Sequence, residues 1–139
     1  MEVIKINKSQ DKPTRKYSRI VRKANLYDMF FMKKKAIDTI ITALKQPLTD
    51  REKSSAYIYI GLLYSDLKDY KSASENFHLG LTIVESQDFP YSFNFFKIIN
   101  TFIKNDELER AKYWLENLTN RKIYDKNFSK LNHLYSNLK

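Results

Sequence analysis

The chain has no cysteine, two glycines, three prolines, one tryptophan and two histidines. Without cysteine there are no disulfides and no thiolate metal sites. Two glycines are too few for a phosphate-cradling loop. No Asn-Gly or Asp-Gly pair marks a tight hairpin. The histidines, His78 and His133, stand alone in helical segments and read as surface residues rather than ligands or bases. No catalytic residue, metal or cofactor is therefore expected, and the chain is not expected to be an enzyme. There is no apolar signal region near Met1 and no apolar run of about 18 residues, so a soluble, cytoplasmic protein without a membrane partner is expected.

What is present is a 139-residue chain that is 42% hydrophobic and 14% aromatic. That is enough apolar surface to offset the ordering entropy of one domain. Acidic residues are scarce at the start. Residues 1–53 carry 14 Lys and Arg against 6 Asp and Glu, whereas residues 54–139 carry 11 against 10. The densest stretch, Lys5 to Lys23, holds eight basic residues and one acid, Asp11. It reads as a solvated basic segment. The sharper alternative is an electrostatic surface for nucleic acid built from Arg15, Lys16, Arg19, Arg22 and Lys23.

Residues 1–16, with Pro13 and the short alternation "EVIKI", are expected to form a flexible basic tail. From Tyr17 onward apolar residues recur at steps of three and four, the helical period. Seven helices are expected, over 17–29, 33–45, 51–66, 70–86, 90–104, 107–119 and 125–138. "TDRE" at Thr49–Glu52 and "DELE" at Asp106–Glu109 have capping-box spacing. Asp69 is positioned to cap the fourth helix, and Pro90 suits the first turn of the fifth. "YDMFFMKKK" offers no breaker between the first two helices. Its "MFFM", Met29–Met32, suits either a contact with a second copy of the chain or packing between those helices. The last helix carries Phe128, Leu131, Tyr135 and Leu138 as its apolar stripe.

The two glycines belong to a repeating frame. Ala36, Ala73 and Ala111 lie 37 and 38 residues apart. Seven residues after each stands Ala43, Gly80 or Leu118, and twelve before each stands Ala24, Gly61 or Ile99. Seven of these nine places hold alanine or glycine, in a chain with six alanines and two glycines. Small side chains let helix backbones approach closely, so Gly61 is expected to be a packing contact despite a helix-propensity cost of roughly 1 kcal/mol. Large places repeat in the same register: Ile20, Tyr27 and Ile40, then Tyr57, Tyr64 and Phe77, then Phe95, Phe102 and Leu115.

The segment "YIYIGLLYSDLKDYKSASENFHLGL" resembles a tetratricopeptide repeat, W-x2-L-G-x2-Y…A-x3-F, with Tyr57 for the tryptophan and Ile60 for the leucine. "FFKIINTFIKNDELERAKYWLENL" is similar, with Ile99 for the glycine. The resemblance implies an all-α, right-handed superhelical stack of antiparallel helix pairs. Repeats would span about 17–50, 51–88 and 89–123 within a domain of residues 17–139, and the helix at 125–138 would be a solvating cap. It also implies binding of a peptide or partner-protein segment in a concave groove lined by the first helix of each pair. The groove residues would be Arg22, Asn25, Tyr59, Leu62, Phe96, Lys97, Asn100 and Lys104, with Ile58 beside them. Val21 and Tyr59 occupy two places of the lysine and asparagine clamp that some such proteins use for chaperone C-termini, which argues against that ligand. The long, Lys-, Asn-, Ile- and Tyr-rich repeats are also similar to those of peptide-pheromone receptors of Gram-positive bacteria. Sixteen residues ahead of the first repeat are too few for the DNA-binding helix-turn-helix domain of the receptors that act on transcription. A regulatory or adaptor role is the expectation.

Overall fold

Thr14 opens the part of the chain that the structure, a computed structural model, describes, residues 14–139. The "EVIKI" alternation and Lys5, Lys8 and Lys12 of the expected tail lie outside the described residues. The described chain is all helical: α1 (Arg15–Met29), α2 (Lys33–Ala43), α3 (Asp50–Asp66), α4 (Tyr70–Ile83), α5 (Asn94–Lys104), α6 (Leu108–Asn120), a 3-10 turn (Arg121–Ile123) and a C-terminal 3-10 helix (Lys126–Leu138). No helix among the described residues is long and apolar enough to cross a membrane.

Three caps explain where helices start. Thr14 accepts the Tyr17 amide and opens α1 at Arg15, two residues earlier than the periodicity suggests. Thr49 and Glu52 form the expected capping box of α3, each side chain accepting the other's backbone amide at 3.1 Å. Asp69 accepts the Ser72 amide at 3.1 Å and caps α4. The box expected from Asp106 does not form: α6 starts at Leu108, and Asp106 has left-handed backbone with φ 59°.

That conformation recurs. Phe31, Lys68 and Asp106 all have φ near +60°, and they lie 37 and 38 residues apart, the spacing of the alanines. Each closes a helix in the Schellman manner. Phe31 N–H donates to Asp28 C=O and Met32 N–H to Tyr27 C=O; Lys68 donates to Ser65 and Asp69 to Tyr64; Asp106 donates to Ile103 and Glu107 to Phe102. The left-handed residue five places before each alanine turns the chain into the next helix. This supplies the break after Met29 that the residue types do not signal.

Each helix packs on the next in chain order, and α3 with α4 makes the most extensive pairing. All nine places of the small-residue frame are buried. Gly61 faces the Phe77 ring, and Gly80 faces Ile58, Tyr57 and the Ser54 carbonyl. Ser54 Oγ, itself buried, donates to the Gly80 carbonyl at 2.7 Å. One core cluster joins α1, α2 and α3 through Ala36, Ile40 and Ile60. The other runs from α4 to the C-terminus through Phe77, Phe102, Trp114 and Leu131.

The C-terminal segment is a 3-10 helix, and the expected stripe changes accordingly. Phe128, Leu131 and Leu134 are fully buried, whereas Tyr135 is exposed. Their spacing of three matches three residues per turn, with side chains eclipsed along one line. Phe128 stacks on Phe95 with centroids 5.7 Å apart, and Tyr135 bonds Thr119 Oγ1 at 2.8 Å, so the segment covers the open side of α5 and α6. Pro90 does not enter α5. It lies in a connection that runs from Val84 to Phe93, because α4 ends at Ile83 and α5 begins at Asn94.

Candidate binding cleft

Helices α1 and α3 are joined by polar contacts. Thr14 donates through N–H and Oγ1 to Glu52 Oε2 at 2.9 and 3.1 Å. Tyr59 O–H donates to Asn25 Oδ1 at 2.5 Å. Burial pushes the Tyr59 phenol up to about 12, with the Asp28 and Tyr17 charges adding to it, so it stays a donor. Burial alone would raise the Glu52 carboxyl, but the amides of Thr14 and Thr49 outweigh it and hold the group below its ordinary value.

Residues of α3, of the connection before α5 and of α5 border a common depression. A cleft of about 440 Å³ lies there. Ile58, Leu62, Phe95 and Ile98 make its floor, the Phe89–Pro90 corner closes one end, and Arg51, Ser55, Tyr59 and Asn94 stand at its edge. An apolar floor beneath polar edge groups is the arrangement that holds apolar side chains of a ligand while orienting its backbone.

The corner is fixed by a residue outside the cleft. Arg121 is buried and its guanidinium donates to the Gln87 and Glu85 carbonyls at 2.7 Å each, and to Asn117 Oδ1 at 3.1 Å. It also stacks over the Phe89 ring at 3.9 Å. Tyr124 O–H donates to the Phe89 carbonyl at 2.9 Å. The loop carbonyls after α4 are thus satisfied by a planar, forked cation that lysine does not reproduce.

Of the groove residues expected from sequence, Tyr59 and Leu62 line this cleft. Phe96, Lys97, Asn100 and Lys104 do not. Phe96 stacks on His133 at 5.4 Å, Lys97 pairs with Asp66 at 2.7 Å, and Lys104 lies over the Tyr70 ring at 5.2 Å. Asn100 is half-buried, and Arg22 and Asn25 are exposed on α1. Asp66 also receives Lys33 at 3.4 Å, which itself pairs with Asp28 at 2.5 Å. Burial works to raise the Asp66 carboxyl, but Lys97 and then Lys33 hold it below its usual value. Lys97 is therefore committed to a partner within the chain.

Arg15, Arg19 and Arg22 recur on the exposed face of α1 and, with Ser18, line a niche of about 300 Å³. Lys16 and Lys23 flank them, also exposed. Arg51, Asn94, Phe95 and Ile98 of the cleft, and Arg121 behind it, are not among the groove residues that the sequence suggests. The first set depends on a connection longer than the 87–89 break that apolar periodicity predicts, because α4 ends at Ile83 and α5 begins at Asn94. Arg121 left no signal, since its partners are backbone carbonyls 34 and 36 residues away.

His78 lies half-buried with Trp114. The indole Nε1–H donates to His78 Nδ1 at 3.0 Å, which requires a neutral imidazole with its proton on Nε2. Burial first, and Arg110 second, push the His78 pKa down. This is a structural contact across α4 and α6.

Comparison with known proteins finds no matching family model, no matching curated protein and no matching solved structure.

Proposed function

We propose that this chain is a non-catalytic scaffold that holds an extended peptide or partner-protein segment in the α3–α5 cleft. Its architecture, in this reading, is a right-handed superhelical stack of antiparallel helix pairs similar to tetratricopeptide repeats. Support for the repeat comes from the three left-handed turns, which share hydrogen bonds and spacing with the small-residue frame. The C-terminal 3-10 helix would be the solvating cap. A cytoplasmic regulatory or adaptor role follows from this reading.

The observation that carries the function is the cleft itself: an apolar floor of Ile58, Leu62 and Ile98 beneath the Tyr59 and Asn94 side chains. An extended segment would place alternate apolar side chains on that floor. Panning a random peptide library against the folded chain tests it. Enriched peptides are expected to bear apolar residues at alternate positions and to lose binding to Leu62→Glu. Peptides that bind this variant as well as the native chain would overturn the assignment.

A second reading, nucleic-acid binding through Arg15, Lys16, Arg19, Arg22 and Lys23, is favoured by one observation. None of these cations has an ion-pair partner among the described residues. Affinity for duplex or single-stranded nucleic acid would fall steeply with salt and vanish in Arg15→Glu/Arg19→Glu/Arg22→Glu. Unchanged affinity in this variant would exclude the surface.

A further inference from the structure

Four large apolar side chains stand together in solvent at the α1–α2 turn. Leu26, Met29, Phe30 and Phe31 are 55, 72, 70 and 91% exposed. Met29 and Phe30 follow Leu26 by three and four residues and continue its outward stripe, and Phe31 carries the patch over the turn. The equivalent turns hold Lys68 and Asp106 at the place of Phe31. The side chains of Met29, Phe30 and Phe31 are thus not packed between α1 and α2.

Cations surround this tip. Arg22 and Lys23 are exposed one turn before Leu26, and Lys34 and Lys35 are exposed in the first turn of α2. The carboxylate nearest in sequence, Asp28, is occupied by Lys33. The backbone N–H donors of the tip are also paired. Phe30 N–H donates to the Leu26 and Tyr27 carbonyls, Phe31 N–H to Asp28, and Met32 N–H to Tyr27. No amide of these three residues would lose a partner on leaving water.

We propose that the α1–α2 turn docks on the surface of an anionic lipid bilayer. Met29, Phe30 and Phe31 enter the boundary between headgroups and acyl chains, while Arg22, Lys23, Lys34 and Lys35 meet the anionic headgroups. Apolar insertion and cationic attraction are the two contributions that hold interfacial segments. Paired N–H groups remove the donor part of the cost of placing backbone in that layer, and the headgroup region can still hydrate its carbonyls. Charge decides against a second copy as the occupant. A two-fold contact would set the four cations of one tip against the four of the other, whereas an anionic surface complements them. Docking of this kind needs no spanning helix.

The full chain is mixed with vesicles of equal parts phosphatidylcholine and phosphatidylglycerol, with vesicles of phosphatidylcholine alone, and with none. Cosedimentation is expected with the anionic vesicles only and is expected to weaken with salt. Phe30→Ser/Phe31→Gly is expected to lower the partition coefficient by roughly tenfold or more. Lys34→Gln/Lys35→Gln is expected to lower it by about fivefold per charge. Glycine suits the left-handed place, and unchanged helical circular dichroism checks that each variant folds. A Phe30→Trp reporter gives a second readout, an emission blue shift on the anionic vesicles. No binding to anionic vesicles, or equal binding by Phe30→Ser/Phe31→Gly, overturns the proposal. So does a concentration-dependent dimer, seen by light scattering, that the same substitution abolishes.

Discussion

Phe77 fills the space that a methyl group on Gly61 would need: a Cβ there would lie 2.5 Å from the ring's Cδ1. Both residues are buried, one on α3 and the other on α4. Alanine favours a helix over glycine by about 1 kcal/mol, yet the overpacked ring costs roughly 1–3 kcal/mol. We expect Gly61→Ala to destabilise the chain in urea denaturation by up to about 2 kcal/mol after that offset. Phe77→Leu in the same chain is expected to recover part of the loss, read as a coupling energy between two touching residues.

Lys68 adopts φ 62° on an exposed turn, a conformation that costs a side chain but not glycine. Lys68→Gly is therefore expected to raise stability, by about 1 kcal/mol. Lys68→Val at the same place is expected to lower it, since β-branched residues tolerate this region least. Thermal melts of the two variants, moving in opposite directions, check the turn.

Arg121 holds the loop that closes the cleft from behind, stacked over Phe89 of its lining. Replacement by lysine keeps the charge but loses the fork that serves the Glu85 and Gln87 carbonyls together. Arg121→Lys is expected to cost roughly 2–4 kcal/mol, because charged hydrogen bonds to half-buried carbonyls go unreplaced. Amide hydrogen exchange in residues 84–93 is expected to accelerate more than in α1 or α2. Uniform acceleration would mean that Arg121 supports the whole fold rather than this loop.

Stability is expected to fall with acid in two steps. His78 is neutral in the fold and its pKa lies below the ordinary value, so the unfolded chain binds the proton more readily. Its contribution is complete above about pH 6.5 and is lost as pH falls through the depressed value. Glu52, also held below its ordinary value, contributes above about pH 4.3 and loses that contribution on further acidification. Urea midpoints measured from pH 8 to pH 3 are expected to lose the first step in His78→Phe and to keep the second.

Much of the helix order could be read from apolar periodicity, and the caps at Thr49 and Asp69 from local spacing. The break after Met29 could not, because it uses left-handed phenylalanine where glycine is the usual signal, and both glycines are committed to helix packing. Asp106 misled for the same reason: its spacing to Glu109 fits a box, but its backbone is already occupied in closing α5. In the C-terminal segment the residues themselves carry a period of three, Phe128, Leu131 and Leu134, which a 3.6-residue template reassigns to Tyr135. On the candidate site, Tyr59 and Leu62 follow from the repeat register. Lys97 does not serve as a free cation, because Asp66 at the end of α3 faces it, a pairing set by the stagger of α3 and α5 rather than by local pattern.

The α3–α5 cleft is the proposed place of binding. Titrating the labelled chain with a library-selected peptide and following backbone amide resonances tests that directly. Shifts concentrated in residues 51–62 and 89–98, absent in Leu62→Glu, are the expected result. Shifts confined to the cationic face of α1, residues 15–23, would contradict it.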